Sequence, residues 1–217
     1  GVSAATTHIF TGAGRVFLEV ERFDRTATGR VGMVSLMVYD AEYVGAMDNW
    51  GATANRMQER QLLRPADART LRLLEAFGVL IANTDRHYGN ISLVLVEDDW
   101  HLSPTYDMLP MLYMPIAGEV VPQTLALDRM VPTAATLDVW PQARALYEAR
   151  SPIHHLDGFK CPLILLQGAD DKVVPPEQSR RMHAALKARG VPVAYLEFEG
   201  EAHGFRDAAN IVRALQA

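Results

Sequence analysis

The chain has 217 residues, 49% of them apolar and 22% charged, with a net charge of −5; this is the composition of a folded globular protein. A net negative balance without a basic field argues against nucleic acid and acidic membrane surfaces as direct partners. No apolar run approaches the roughly 18 residues of a membrane span, and the single cysteine, Cys161, excludes an internal disulfide and suits a reducing cytoplasm.

Residues 6–10 and 15–23 read as strands joined by Thr11-Gly12-Ala13-Gly14. A phosphate-cradling glycine loop leads from a strand into a helix. A strand follows here, so the segment reads as a hairpin turn. Residues 18–25 alternate apolar and charged positions, as a half-buried strand does, and residues 26–30 form a polar turn. Residues 31–65 show no clean period and are expected to be a loop with a short helix over 53–60. From Asp67 onwards Leu71, Leu74, Phe77, Gly78 and Ile81 recur at three- and four-residue steps, which predicts a helix with one face in a core. Asp67, just after Pro65, is the expected N-cap.

That helix delivers an irregular loop, Asn83-Thr84-Asp85-Arg86-His87-Tyr88-Gly89-Asn90. Residues 91–96 then read as a strand, 97–99 as an acidic turn and 100–104 as the returning strand. Pro110, Pro115 and Pro122 keep residues 109–136 from forming long elements. Near Val139 the pattern changes. The continuous apolar run over 161–166 predicts a strand buried on both faces of a parallel sheet. An amphipathic helix over 176–190 ends in glycine, a strand covers 193–198 and a last helix 206–217. The order is β-α-β-α.

Asp85 and Asn90 stand five residues apart, the spacing of the catalytic aspartate and metal-binding asparagine in the kinase loop H-R-D-x-x-x-x-N. Asp107 follows the second strand, where a kinase carries its D-F-G aspartate. Phosphoryl transfer needs a carboxylate to orient or accept the hydroxyl proton, and oxygen ligands for Mg²⁺. Asp85 suits the first role, and Asn90 and Asp107 the second. The plain alternative is that Asp85 and Asn90 are turn-stabilising residues and Asp107 a loop aspartate, while Tyr106, Tyr113 and the Met108, Met111 and Met114 series read as packing.

Val20-Glu21-Arg22-Phe23-Asp24-Arg25, the loop Asn83 to Asn90, and Ser103-Pro104-Thr105-Tyr106-Asp107-Met108-Leu109-Pro110 together resemble the HipA-type serine/threonine kinases. These are bacterial proteins, several of them toxins of toxin–antitoxin pairs. The resemblance covers about residues 5–135. It implies an α+β, kinase-like catalytic lobe that transfers phosphoryl from Mg²⁺–ATP to a protein hydroxyl. It implies Asp85 as catalytic base, Asn90 and Asp107 as Mg²⁺ ligands, Glu21 and Phe23 at the hinge that meets adenine, and His87 as a support of the loop. A DNA-binding antitoxin is the partner it implies. The departure is charge. The family's N-terminal lobe pairs a lysine with the phosphates, whereas the lysines here are Lys160, Lys172 and Lys187. That lobe is therefore expected to be mostly missing, its electrostatic clamp with it, and little activity is expected from these residues alone.

From about residue 141 the chain resembles the C-terminal end of the prolyl oligopeptidase family of α/β-hydrolases. The carrying motifs are Ala149-Arg150-Ser151-Pro152-Ile153, Asp171-Lys172-Val173-Val174-Pro175 and His203-Gly204-Phe205. The resemblance implies Asp171 as triad acid and His203 as triad base, with no cofactor. Ser3, Ser35, Ser92, Ser103, Ser151 and Ser179 all lack the flanking glycines of a nucleophile elbow, and without an attacking oxygen acyl transfer does not run. The expected organisation is a kinase-like region over 1–138 and a partial α/β-hydrolase unit over 139–217. Two other readings stand beside it: a serine peptidase by descent, and a rearranged product without function. The latter would expose the apolar faces and unpaired edges of a cut sheet.

Overall fold

The structure, a computed structural model, describes residues 2–114, 130–171, 174–202 and 204–217. It has two units, one of residues 1–109 and 131–144, the other of residues 110–130 and 145–217.

The larger unit begins with the antiparallel hairpin β1 (Thr7–Gly12) and β2 (Arg15–Val20). Its two-residue loop has φ of 49° at Ala13 and 71° at Gly14, the positive angles that a type I′ loop requires to match strand twist. Both strands are exposed along their whole length. The half-buried strand expected over 18–25 is therefore not found: alternation marks a strand but does not supply the surface that covers its apolar side. The turn over 26–30 contains two-residue strands, β3 (Arg25–Thr26) and β4 (Gly29–Arg30).

A three-stranded antiparallel sheet follows, in the order β5 (Met33–Ser35), β6 (Ser92–Val96), β7 (Asp99–Leu102). Leu93 lies between Val34 and Leu102. The acidic turn that joins β6 to β7 has positive φ at Glu97 and Asp98. Against the sheet pack α1 (Leu36–Tyr43), α2 (Trp50–Glu59) and α3 (Pro65–Leu80).

The expectation of mostly loop over 31–65 is corrected, since β5, α1 and the whole of α2, which begins three residues before the expected short helix, lie there. In α1, Leu36 and Tyr39 are buried while Met37 and Val38 are exposed. Apolar side chains on both sides of a helix leave no periodic stripe to read. The α3 cap is also corrected. Arg64 is the N-cap and Pro65 opens the helix, where its missing N–H costs nothing. Asp67 sits in the first turn and accepts from Arg64 Nε at 2.8 Å.

Trp50, Leu36, Met57, Leu71 and Leu93 form the centre of this core, each fully buried. Burial of such a side chain contributes about 1.5–3 kcal/mol. The segment 131–144 joins the same unit. Arg69 donates to Gln142 at 2.6 Å and Arg72 pairs with Asp138 at 3.4 Å. Val139 and Ala143, at the start of α4 (Trp140–Glu148), are fully buried.

The second unit contains β8 (Leu163–Gly168), α5 (Pro176–Ala188), β9 (Val193–Phe198) and α6 (Ala208–Leu215). β8 and β9 pair in parallel, with α5 as the crossover. The strand expected to be buried on both faces is not: Ile164 is 47% and Leu166 43% exposed. A two-stranded sheet with one crossover helix covers one face only. Pro115 and Pro122 lie outside the described residues. Among those described, no helix is long and apolar enough to cross a membrane.

Candidate active site

Past the end of α3, the chain turns at Ala82, whose φ is 55°, and Asn83 N–H donates to the Gly78 carbonyl at 2.8 Å. Asn83 is fully buried. Its Oδ1 accepts the Asp85 N–H at 2.9 Å, and its Nδ2 reaches Met108 Sδ at 3.8 Å. The Asp85 carbonyl accepts both the His87 N–H and Asn90 Nδ2, each at 3.0 Å. Asp85 and Asn90 are thus joined directly, through backbone and side chain. His87 Nδ1 accepts the Gly89 N–H at 3.0 Å, which leaves the ring proton on Nε2, 3.8 Å from Asp85 Oδ1. The Asp85 side chain is 48% exposed, open to a reacting group.

The far side of the loop is clamped by α2. Trp50 Nε1 donates to the His87 carbonyl at 3.3 Å. The buried Tyr88 hydroxyl accepts the Asp48 N–H at 2.7 Å and pairs with the Thr53 hydroxyl.

Asp107 follows β7, with φ of 55°. Its neighbour Tyr106 shares a hydrogen bond with Ser92 Oγ at 2.7 Å and donates to the Gly89 carbonyl at 3.2 Å. The Tyr106 ring stacks on Phe23, with centroids 5.9 Å apart. Thr105 is paired with the N-terminal segment, since Ala5 N–H donates to its carbonyl and its own N–H donates to Ser3, both at 2.9 Å. These contacts enclose a cleft of about 860 Å³, lined by Glu21, Phe23, Asp107 and Met108 and by the apolar Leu18, Val20 and Met33. Its size and mixed lining suit a small organic ligand. At its rim Arg22 grips Asp24 with two bonds of 2.6 Å, and those bonds hold the Asp24 carboxyl below the usual range.

In the second unit Asp171 follows β8 and is nearly buried. Its Oδ1 accepts the Val174 N–H at 2.9 Å and its Oδ2 faces Gln167 Nε2 at 3.4 Å. Asp171, Gln167, Ser179, Gly204 and Phe205 line a cavity of about 680 Å³. The Ser179 hydroxyl donates to Gln167 Oε1 at 2.5 Å, an amide that cannot serve as a base. His203 lies outside the described residues. Beside it in sequence, Glu201 is 2% exposed and accepts from Arg206 N–H (2.7 Å), Asp207 N–H (2.9 Å) and Asn210 Nδ2 (3.0 Å). The bond from the Arg206 N–H does most to hold its carboxyl below the usual range.

Residues 1–154 match the HipA-like C-terminal domain family. The chain belongs to that family. Residues 123–217 match the prolyl oligopeptidase family, so the two matches overlap on 123–154. The HipA-like part is similar to Toxin YjjJ of Escherichia coli (strain K12), 35% identical over 153 residues, which are 68% of this chain and 34% of the toxin. The C-terminal part is similar to dipeptidyl aminopeptidase BIII of Pseudoxanthomonas mexicana, 41% identical over 56 residues, 26% of this chain and 8% of that enzyme. Among solved structures, a puromycin-hydrolyzing peptidase of Mycobacterium tuberculosis is 50% identical over 36% of this chain and 12% of its own, with a TM-score of 0.34. The chain thus spans about a third of the toxin's length and under a tenth of the aminopeptidase's.

Within the HipA-like part, Glu21, Phe23 and Asp107 share one cleft. Asp85 and Asn90 stand on the adjoining loop, tied to that cleft through Tyr106 and Met108. Asp171 stands in the other unit. Among the described residues no group of three or more His, Cys, Asp and Glu side chains is placed to hold a metal. An amide oxygen and a carboxylate, the donors that Asn90 and Asp107 offer, are of the type that suits Mg²⁺, which binds few carboxylates and fills its shell with water and phosphate oxygens. Because Asn90 Nδ2 is committed to the Asp85 carbonyl, the amide oxygen is the atom left for a cation.

Trp50 carries no sequence signal as part of this site, and Asn83, Tyr88 and Tyr106, which stand within the motifs quoted above, have no role legible there. Tyr106, read from sequence as packing, carries a hydrogen bond to the loop and lines the cleft. The available signal was the buried polar side chain itself: Asn83 follows an apolar helix and needs partners if it is buried.

Proposed function

We propose that the HipA-like part is the catalytic lobe of a serine/threonine protein kinase, which transfers phosphoryl from Mg²⁺–ATP to a protein hydroxyl. The observation that carries this reading is the single cleft lined by Glu21, Phe23 and Asp107, hydrogen-bonded through Tyr106 to the loop of Asp85 and Asn90. Glu21 and Phe23 would receive the adenine. Asn90 and Asp107 would hold the magnesium ion, which when bound neutralises charge on the phosphates. Asp85, half-exposed beside them, would orient the acceptor hydroxyl and take its proton. Within these residues no lysine precedes Lys160, so they do not themselves supply the family's lysine clamp on the phosphates. Loss of one such electrostatic contact slows catalysis about 10²–10³-fold, and these 217 residues alone are expected to turn over slowly or not at all. The toxin-named relative supports a toxin-like role, and an antitoxin partner and a cytoplasmic setting are proposed with it.

A second reading applies to the C-terminal part. Its match to the prolyl oligopeptidase family and the held carboxylate of Asp171 after β8 support a partial α/β-hydrolase unit in which Asp171 and His203 are triad residues by descent. Within it, no serine has the elbow sequence, so it supplies no peptidase chemistry.

The test is calorimetric titration of the full chain with ATP, with and without Mg²⁺. Magnesium-dependent binding is expected, lost in Asp107→Ala and kept in Asp85→Asn, whose carboxylate is assigned to the acceptor hydroxyl and not to the metal. Absence of nucleotide binding, or equal binding by Asp107→Ala, would overturn the kinase reading.

A further inference from the structure

Arg86 follows Asp85, yet its side chain runs back along α3. Its Nε donates to Glu75 Oε1 at 3.2 Å, and one of its terminal nitrogens donates to the Asn83 carbonyl. Its stem crosses the helix over Gly78. A Cβ built on Gly78 would stand 2.5 Å from Arg86 Cδ, closer than carbon atoms approach. Glu75 and Gly78 are three residues apart and so lie on one helix face. Glycine in a helix interior is unfavourable relative to alanine, and here it clears a notch that the arginine stem fills.

Glu75 is only 5% exposed, and its Oε2 is buried without a hydrogen-bond partner. A buried carboxylate is costly, and an apolar residue of similar size is commonly no worse for stability. Bare stability therefore does not explain a charge at this position. The pair does deliver register. Asp85 and Arg86 share a peptide unit, so fixing the Arg86 side chain on α3 fixes the rotation of the chain at Asp85. The bond from Asn90 Nδ2 to the Asp85 carbonyl carries that constraint to Asn90.

We propose that Glu75 and Arg86 are positioning residues: a buried ion pair seated in the Gly78 notch sets the Asp85–Asn90 loop on α3 in the arrangement that phosphoryl transfer uses. The inference rests on the kinase reading above.

The full chain and three variants test it: Glu75→Gln, which removes the charge but keeps the shape; Gly78→Ala, which keeps both charges but fills the notch; and Gly78→Ala with Arg86→Ala. Two quantities are read, amide hydrogen exchange of Asp85, His87 and Asn90, and the dissociation constant for ATP with and without Mg²⁺. Glu75→Gln and Gly78→Ala are each expected to speed exchange at those amides tenfold or more, with β6 and β7 unchanged. Each is also expected to weaken Mg²⁺–ATP at least fivefold while leaving magnesium-free ATP unchanged, because the cleft at Glu21 and Phe23 is untouched. Gly78→Ala is expected to melt lower than the parent. Removing Arg86 as well relieves the clash but leaves the Glu75 carboxylate buried without its partner, so neither the melting temperature nor the loop protection is expected to return. Unchanged exchange, or faster exchange with unchanged Mg²⁺–ATP affinity, would overturn the positioning role. A parent chain that shows no magnesium-dependent binding would instead overturn the kinase reading beneath it.

Discussion

The Tyr106 hydroxyl donates to the Gly89 carbonyl at 3.2 Å, so the residue before Asp107 is bonded to the residue before Asn90. The two segments, on either side of a β-hairpin, are held by a polar link with the same hydroxyl also on Ser92. Tyr106→Phe keeps the ring on Phe23 and removes both bonds. It is expected to cost about 1–3 kcal/mol through the groups left without their partner and to weaken Mg²⁺–ATP more than adenosine. Denaturant unfolding and parallel titrations check this; equal weakening of both ligands would count against a link between the two segments.

Trp50 joins core and loop in one side chain, fully buried and donating to the His87 carbonyl. Trp50→Ala is expected to cost about 3–5 kcal/mol, a large share of a typical domain's stability. Trp50→Phe keeps most of the packing and loses the bond, for about 1 kcal/mol. The difference between the two, measured by urea denaturation, separates packing from loop support.

Glu201 gives the second unit a dependence on acid. Its folded carboxyl is held low by the Arg206 N–H, Asn210 and the Asp207 N–H. A depressed acid stabilises the fold above its unfolded value of about 4.3, and the contribution fades as pH falls through the lower folded value. Protection of the amides of Glu201, Arg206, Asp207 and Asn210, relative to the intrinsic exchange rate at each pH, is expected to fall below about pH 4. In Glu201→Gln the same amides should be less protected at pH 7 and respond less to acid. A parent chain equally protected at pH 3 and pH 7 would refute this.

The hydrolase-like part should be chemically silent. A fluorophosphonate probe, which captures activated serines, is expected to leave the chain unlabelled, because Ser179 in the cavity of Asp171 is bonded to an amide rather than to a base. Mass spectrometry that found the probe on any serine would reopen the peptidase reading.

Sequence patterning revealed the elements whose signals are local. The hairpin turn at Ala13-Gly14, the helix through Leu71 and Leu74, the β6–β7 hairpin and the order β8-α5-β9-α6 all carry period or turn chemistry in adjacent residues. It failed where a signal depends on what lies opposite. α1 has apolar residues on both sides, so its helicity was hidden. The run of apolar residues in β8 implies a cover on each face, yet Ile164 and Leu166 are exposed. For the proposed site, spacing alone put forward Asp85, Asn90 and Asp107. The cross-links through Asn83, Tyr88, Tyr106 and Glu75 connect residues 11 to 40 positions apart, and no local pattern announces them.

At position 107 the backbone narrows the choice of residue as much as the chemistry does. With φ at 55°, the site favours glycine, asparagine and aspartate, whose lack of a side chain or short polar side chain tolerates the left-handed region. Glutamate carries the same charge but not that tolerance, so it is not a conservative replacement here. Two filters with different alphabets therefore act on one codon. A library randomised there and sorted for folding alone should return all three tolerant residues, and the same library sorted for magnesium-dependent nucleotide binding should return aspartate.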